Sequence, residues 1–171
     1  MIAEPFNELG RKFQDRGKYK IANAFYALAS RLEPSWSAPW FNRGLMAKFR
    51  HDWPECYRFT LRSTELDPDF KAGWWNLGIA ATALSDWVIA RRAWWRYGIS
   101  VPLGDGPPDM NLGAVPIRIC PGTLGEVVWC RRLDPARAEI HSIPFPESEH
   151  AHGDVLLTDG EPKGYRSSAG R

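Results

Sequence analysis

Aromatic, small and helix-ending positions recur with a period of 34 residues along the first hundred residues of the chain. Six such positions recur once in each of three consecutive units, so that equivalent residues form six columns when the units are aligned. The columns are Phe6, Trp40 and Trp74; Leu9, Arg43 and Leu77; Gly10, Gly44 and Gly78; Ala22, Cys56 and Ala90; Tyr26, Thr60 and Trp94; and Pro34, Pro68 and Pro102. A fixed period of this length is typical of stacked structural repeats, in which each repeat is one supersecondary unit.

Each unit predicts two short antiparallel helices. In the third unit the helices are expected at 71–83 and 86–98, with Ser85 or Asp86 able to cap the second helix. The prolines end each unit because proline cannot donate the helical hydrogen bond and restricts the residue before it. The recurring glycines are expected to let the paired helix approach, since a Cβ there would hold the two backbones apart.

The three units resemble the tetratricopeptide repeat (TPR). The third unit matches best through Trp74, Leu77, Gly78, Ala90, Trp94 and Pro102, and the first matches through Phe6, Leu9, Gly10, Phe13, Ala22, Tyr26, Ala29 and Pro34. The middle unit keeps Trp40, Gly44 and Pro68 but has Arg43, Cys56, Thr60 and Ser63 in place of the usual apolar or small residues. The resemblance covers residues 3–102, as units 3–36, 37–70 and 71–102. It implies a right-handed solenoid with a concave groove, lined by the first helix of each unit, that binds peptides or proteins.

Two adjacent tryptophans carry different expectations. Trp74 stands in the aromatic column and is expected between the helices of its own unit, whereas Trp75 points about 100° away, toward the groove. On the resemblance, the partner-binding positions hold Asn7, Arg11, Phe41, Asn42, Leu45, Lys48, Phe49, Trp75, Asn76 and Ile79. The apolar members form a contiguous strip, which is typical of a contact site. The amides of Asn42 and Asn76 are expected to bond the backbone of a ligand.

The occupant of this groove stays open at the level of sequence. Some members of the family grip a carboxyl-terminal peptide with a basic clamp, of which only Asn42 is matched here. Asn7, Ala72 and Asn76 stand where that clamp has Lys, Lys and Arg. Three occupants fit the strip: a foreign peptide or protein, the chain's own C-terminal segment, or a second copy in a homodimer.

After residue 102 the pattern changes from helical to strand-like. Residues 103–113 form a linker rich in Gly, Pro and Asp, and residues 114–166 predict a small antiparallel β subdomain. The predicted strands are VPIRIC (115–120), GEVVWCRRL (125–133), AEIHSI (138–143) and DVLLT (154–158). Because the last unit of a repeat array needs a cover, this sheet is expected to cap the solenoid. Residues 167–171 are expected to be disordered. The predicted fold class is therefore α+β.

Composition and charge narrow the classes of partner. The net charge is only +2, and nine tryptophans are present. Arginines and tryptophans interleave in ARRAWWRYG (90–98), a pattern that can bind nucleic acid. Their helical spacing favours a solvated face, so no nucleic-acid partner is expected. No stretch approaches the length of a membrane span. An odd number of cysteines without an export signal indicates the cytoplasm.

Catalysis and metal binding form the second hypothesis, with the repeats as a docking arm. His150, His152 and Asp154 lie close in sequence, and His141 with Cys120 or Cys130 could complete a zinc site. The spacing matches no established zinc signature, and no motif for a nucleophile or for phosphate binding is present. The favoured prediction is therefore a non-catalytic module without a cofactor, acting as an adaptor, a chaperone or an immunity-type protein. A structural homodimer is the third hypothesis.

Overall fold

Six helices precede four strands in the computed structural model, which describes residues 2–119 and 125–159. The helices are α1 (Glu4–Asp15), α2 (Tyr19–Leu32), α3 (Ser37–Lys48), α4 (Trp53–Leu66), α5 (Lys71–Ala83) and α6 (Trp87–Tyr97). They form three antiparallel pairs, and consecutive pairs stack through α2 on α3 and α4 on α5. This arrangement confirms the predicted helix pairs, including both helices of the third unit. Every described helix is too short or too polar to cross a membrane.

The glycine column sets the close packing within each pair. A Cβ built on Gly78 would lie 2.7 Å from Cη2 of Trp94, and one on Gly44 would lie 2.6 Å from Cγ2 of Thr60. On Gly10 the added atom would overlap the ring of Tyr26. The glycine on the first helix of each unit therefore faces Tyr26, Thr60 or Trp94 on the second helix, which confirms the expected close approach of the paired helices.

The turns within the pairs repeat the same backbone geometry. The residues at positions 17, 51 and 85 all have positive φ, with values of 68° for Gly17, 57° for His51 and 58° for Ser85. The next residue caps the second helix of two units, because Asp52 accepts from the N–H of Glu55 and Asp86 accepts from the N–H of Ile89. Of the two predicted caps, Asp86 is thus the one used.

Trp74 is buried, with 3% of its surface exposed, in a cluster that includes Ala93 of α6 and Tyr57 of α4. Its indole Nε1 donates to the carbonyl of Pro68 over 2.8 Å. The equivalent tryptophan of the previous unit, Trp40, donates to Pro34 over 3.0 Å. The expected burial of Trp74 is confirmed. The indoles of Trp40 and Trp74 also tie the second and third units to the prolines that end the units before them.

The C-terminal part is a four-stranded antiparallel sheet of order β1-β2-β3-β4. Its strands are β1 (Ala114–Ile119), β2 (Glu126–Arg132), β3 (Arg137–Ile140) and β4 (Val155–Leu157). One face is buried through alternate residues, among them Val128 opposite Ile117 and Cys130 opposite Ile140. All four predicted strands are present. β1 and β3 begin one residue earlier than predicted, β2 and β4 are shorter at both ends, and β3 ends at Ile140 rather than at 143. Cys120, the predicted last residue of the first strand, lies outside the described residues. The predicted disordered tail lies outside the described residues.

The hairpin between β2 and β3 packs the sheet onto the end of the solenoid. Ala136, at its tip, is fully buried in a cluster with Ile79 and Trp94. Asp134 is also buried and accepts from the N–H groups of Ala136 and Arg137 and from Nε of Arg137. The Arg137 guanidinium lies over the ring of Trp87 on α6, at 4.8 Å. The sheet therefore covers the last helix pair.

The linker is held against the same helix pair. Arg91 of α6 donates to the carbonyls of Pro102 and Gly106, each over 2.7 Å. Arg137 donates to the carbonyl of Pro108 over 2.6 Å. Repeats, linker and sheet are thus joined by charge-assisted hydrogen bonds, so the sheet has a defined position on the solenoid.

Candidate functional site

The first helices of the three units, α1, α3 and α5, share one face, which is called the concave face below. Two side-chain hydrogen bonds cross it. Nδ2 of Asn42 on α3 donates to Oδ1 of Asn7 on α1 over 2.9 Å, and Nζ of Lys48 on α3 donates to Oδ1 of Asn76 on α5 over 3.0 Å. Four of the ten predicted site residues thus pair with one another. Asn42 and Asn76 were expected to bond a ligand; instead they bond their neighbours.

The chain's own segment after β4 enters this face. The carbonyl of Asp159 accepts from the indole Nε1 of Trp75 over 3.1 Å. Its carboxylate Oδ2 lies 3.4 Å from Nζ of Lys48. One residue earlier, the N–H of Thr158 donates to the carbonyl of Ala136 over 2.7 Å. Of the three occupants left open by the sequence, the structure contains the chain's own C-terminal segment.

The charged centre of this contact is the ammonium of Lys48. Only 6% of that side chain is exposed, whereas 21% of the Asp159 side chain is. A buried ammonium is costly unless it is paired, and here it has both an amide oxygen and a carboxylate. Lys48 and Asn76 therefore form a binding position for one carboxylate at the edge of the concave face, and this position is called the seat below.

Trp75 differs from the expectation that it looks into an open hollow. Its ring lies 5.3 Å from that of Trp94 in an edge-on arrangement and 4.8 Å from that of Tyr97. With Asp159 bonded to its indole nitrogen, the side chain is only partly exposed. α6 and the C-terminal segment therefore cover much of a side chain that was expected to line the groove.

The predicted apolar strip is not continuous on the surface. Ile79 is 1% exposed, because it packs in the cluster that also holds Ala136 from the hairpin. The expectation that Ile79 is accessible in the groove is wrong for this structure. That cluster holds Ala90 and Trp94 of α6 as well as Ala136, and of these only Ala136 lies in a part of the chain that the repeat pattern does not describe.

The accessible part of the predicted site lies over α1 and α3. Phe41 is half-buried, with its ring edge-on to Phe70 at 4.7 Å. Leu45 is half-buried against the cluster that contains Tyr26, and Phe49 is exposed beside Tyr19. Arg11 is exposed and pairs with Glu8 over 2.9 Å. Among the described residues, this part of the predicted set is therefore at least partly exposed.

Two ionisable groups beneath the face, one thiol and one phenol, are held neutral by burial. Burial raises the pKa of the Cys56 thiol to about 12, although Lys48 opposes the change. Burial also raises the pKa of Tyr26 to about 12, and its hydroxyl donates to Oε1 of Gln14 over 2.7 Å. At neutral pH neither group supplies a nucleophilic anion.

The histidines of the C-terminal part have carboxylate and aromatic partners. His141 lies 3.2 Å from Glu139, His150 lies 3.6 Å from Asp154, and the rings of His141 and His152 stack at 5.9 Å. Within residues 2–119 and 125–159, no group of three or more His, Cys, Asp or Glu is placed to hold a metal ion. The hypothesised ligand Cys120 lies outside those ranges.

Sequence reasoning missed Asp159 and Ala136 as parts of this site. Asp159 directly follows the last predicted strand, and Ala136 lies between the second and third predicted strands. Neither lies in the repeat, so the 34-residue period carries no information about them. The one available signal was the need for a cover on the last helix pair, which predicted the sheet but no individual contact.

Comparisons with known proteins agree on the helical part. No protein-family model and no curated protein matches the chain. The first TPR domain of Spaghetti (RPAP3), bound to the HSP90 peptide SRMEEVD, has a TM-score of 0.53 at 20% identity, over 56% of this chain and 75% of that domain. The TPR domain of Sgt2 from Aspergillus fumigatus has a TM-score of 0.51 at 20% identity, over 56% and 63%. The TPR2B domain of yeast Sti1, in complex with pHsp70, has a TM-score of 0.52 at 18% identity, over 56% and 76%.

These similarities define the class of fold. The helical part has the fold of a TPR solenoid with three helix pairs, so the resemblance first seen in the sequence is confirmed at the level of fold. The protein as a whole joins this solenoid to a small antiparallel sheet, which lies beyond the matched portion of the chain.

Proposed function

We propose that the concave face of α1, α3 and α5 binds an extended peptide or protein segment, and that the protein acts through this binding without catalysis. One observation carries the proposal: the face holds a segment of its own chain through an indole N–H on a backbone carbonyl and an ammonium on a carboxylate. Neither contact depends on the rest of the segment. A peptide from another molecule can make both.

The neighbours in fold support a peptide ligand but not the same ligand. The first TPR domain of RPAP3 was solved with an HSP90 peptide, and the TPR2B domain of Sti1 was solved in complex with pHsp70. Here Asn7, Ala72 and Asn76 replace the basic residues of the clamp that grips chaperone tails, and Asn7 and Asn76 are committed to internal hydrogen bonds. We therefore expect a different partner, with the protein serving as an adaptor, a chaperone or a mask for it.

The ten predicted residues divide into two parts in this proposal. Lys48 and Asn76 form the seat, Trp75 contacts the same Asp159, and Ile79 supports them from below. Arg11, Phe41, Asn42, Leu45 and Phe49 form the accessible surface over α1 and α3, and the buried Asn7 accepts a hydrogen bond from Asn42 beneath it. The partner is expected to cross this accessible surface and to be anchored by its two phenylalanines.

Selection from a random 12-residue peptide library on the full chain tests the proposal. Burial of one aromatic side chain contributes about 1.5–3 kcal/mol, so Phe41→Ala and Phe49→Ala should each weaken the selected peptides by tenfold or more. Fluorescence anisotropy gives the affinities, and circular dichroism checks that each variant folds. Phe49→Ala is the safer variant because its side chain is exposed.

Trp95→Ala is the matched control, because this tryptophan is 66% exposed on α6 and lies outside the predicted set. It should leave the affinities unchanged. Selected peptides that bind all three variants as tightly as the unmodified protein would contradict the proposal, and so would a selection that enriches none.

A further inference from the structure

The seat at Lys48 is chemically incomplete without an anion. Its ammonium has three donors, and Oδ1 of Asn76 accepts one of them. The carboxylate of Asp159 supplies the only opposite charge within ion-pair distance of it among the described residues. A buried cation that loses its counter-charge is strongly unfavourable, so any group that displaces Asp159 must bring a negative charge.

The segment that presents Asp159 is weakly held. It follows β4, which has three residues and pairs only with β3, at the edge of the sheet. Val155 and Leu157 are exposed, and only Leu156 joins the buried face, where it is partly covered. The segment is thus held mainly by the polar contacts of Thr158 and Asp159, which a ligand with the same groups can replace, and a segment that buries so little apolar surface opens locally more easily than a core element does. Residues 158 and 159 can therefore leave the concave face while the repeats and the other three strands stay folded.

We infer that Asp159 is an internal ligand of the concave face, and that the partner is an acidic peptide whose Asp or Glu displaces Asp159 from Lys48. The inference rests on the proposed function, which it deepens by naming the chemistry of the partner. The interaction of Asp159 with Lys48 and Trp75, called the Asp159 latch, keeps the seat filled until such a peptide arrives. The accessible surface over α1 and α3 receives the rest of the peptide.

The chain supplies a probe of the right chemistry. A capped, fluorescent peptide of residues 153–159 carries the same carboxylate and carbonyl, and its analogue with Asn at position 159 lacks that charge while both peptides keep the charge of Asp154. In the full chain, Asp159→Lys places two cations together and should open the latch. An occupied seat reduces apparent affinity by the fraction of open molecules, so this variant should bind the Asp peptide at least tenfold more tightly than the unmodified protein.

Three controls accompany this measurement. Asp105→Lys makes the same change of charge at an exposed linker position and should bind like the unmodified protein. Adding Lys48→Met to Asp159→Lys removes the ammonium but keeps an apolar stem, and should abolish the difference between the Asp and Asn peptides. Asp159→Glu retains the charge and should stay closed.

A second readout needs no peptide. The indole N–H resonance of Trp75, assigned with Trp75→Phe, reports its hydrogen bond to Asp159 in a nitrogen–proton NMR spectrum. It should shift in Asp159→Lys and stay in place in Asp105→Lys. An unshifted resonance in Asp159→Lys would show that the latch does not form, and would overturn the inference.

The binding outcomes separate the inference from the function on which it rests. Equal affinity of the Asp peptide for the unmodified protein and for Asp159→Lys would overturn the latch while leaving peptide binding intact. A shifted indole resonance without any preference for the Asp peptide over the Asn peptide would overturn the acidic partner. Failure of the library selection, by contrast, counts against the concave face as a binding site altogether.

Discussion

Three residues at equivalent positions show how the units tolerate different side chains in one backbone geometry. Positions 17, 51 and 85 all lie in the left-handed region, where a Cβ atom costs about 1–2 kcal/mol. Only the first is glycine. His51 recovers part of this cost, because its ring stacks on Trp53 at 5.7 Å. Ser85 is exposed, and its side chain has no ring that could stack in this way.

Replacing Ser85 with glycine should therefore stabilise the protein. We expect Ser85→Gly to raise the free energy of unfolding by about 0.5–1 kcal/mol, because the relief of backbone strain exceeds the added entropy of the unfolded chain. Urea denaturation followed by circular dichroism measures the change. Ser35→Gly is the control: Ser35 is exposed in a turn and lies outside the left-handed region, so its replacement should lower stability.

Single residues also mark the limit of what the sequence predicts. Trp74 could be placed in the interior because its column recurs in every unit with the same role. Helix geometry predicted that Trp75 points toward the groove, and the chain's own C-terminal segment was one of the three occupants left open, but the particular contact with Asp159 could not be foreseen. Asp159 lies 84 residues away from it, and a contact between non-repeating positions leaves no periodic pattern.

At the scale of elements, the fit of one helix against its partner depends on the glycine column. The indole of Trp94 on α6 occupies the space that a side chain at position 78 of α5 would need. The same fit recurs with Tyr26 in the first unit and Thr60 in the middle unit. This shared column is why the helix pairs could be predicted even where the middle unit departs from the usual residues.

A methyl group at position 78 should disturb the third pair. We expect Gly78→Ala to lower the free energy of unfolding by about 1–3 kcal/mol, because the rigid indole of Trp94 must move to admit it. Thermal denaturation and the near-ultraviolet circular dichroism of the tryptophans report the loss. Gly106→Ala is the matched control, since nothing lies within 4 Å of its added Cβ. Equal effects of the two substitutions would contradict the close packing.

The strands were predicted less sharply than the helices. Alternation located all four, because one face of the sheet is buried and the other is not. The C-terminal ends of β2, β3 and β4 were placed too far out, as at 133 for β2, where the chain turns at the buried Asp134. Hydrogen bonds from the backbone N–H groups of Ala136 and Arg137 to this carboxylate end the pairing, and such local competition is not visible in an alternating pattern.

At the scale of the whole molecule, the hairpin tip makes the sheet and the solenoid a single packed body. Ala136 lies in the same apolar cluster as residues of α5 and α6, and Arg137 covers Trp87. The buried carboxylate of Asp134 holds Ala136 and Arg137 in place. Folding of the sheet and of the last helix pair should therefore be cooperative, although the two parts differ in secondary structure.

Removal of that carboxylate tests this cooperativity. Asp134→Ala should lower the free energy of unfolding by about 3 kcal/mol, because Arg137 loses its buried partner. Helical circular dichroism and tryptophan fluorescence should shift together in urea, as expected for one transition. Loss of the sheet with unchanged helical unfolding would show that the parts are independent. Asp109→Ala, which breaks an exposed pair with Arg131, should leave the midpoint nearly unchanged.

The hydrogen bond between Trp75 and Asp159 also orders events during synthesis. It closes a loop of 84 residues, whereas the helix pairs close between neighbours. At about 5–20 residues per second, a ribosome needs roughly 4–17 s to advance from one of these residues to the other. Through that interval the nascent repeats can fold with Lys48 uncovered. A partner present at the site of translation thus meets an unlatched protein, and one that arrives later has to compete.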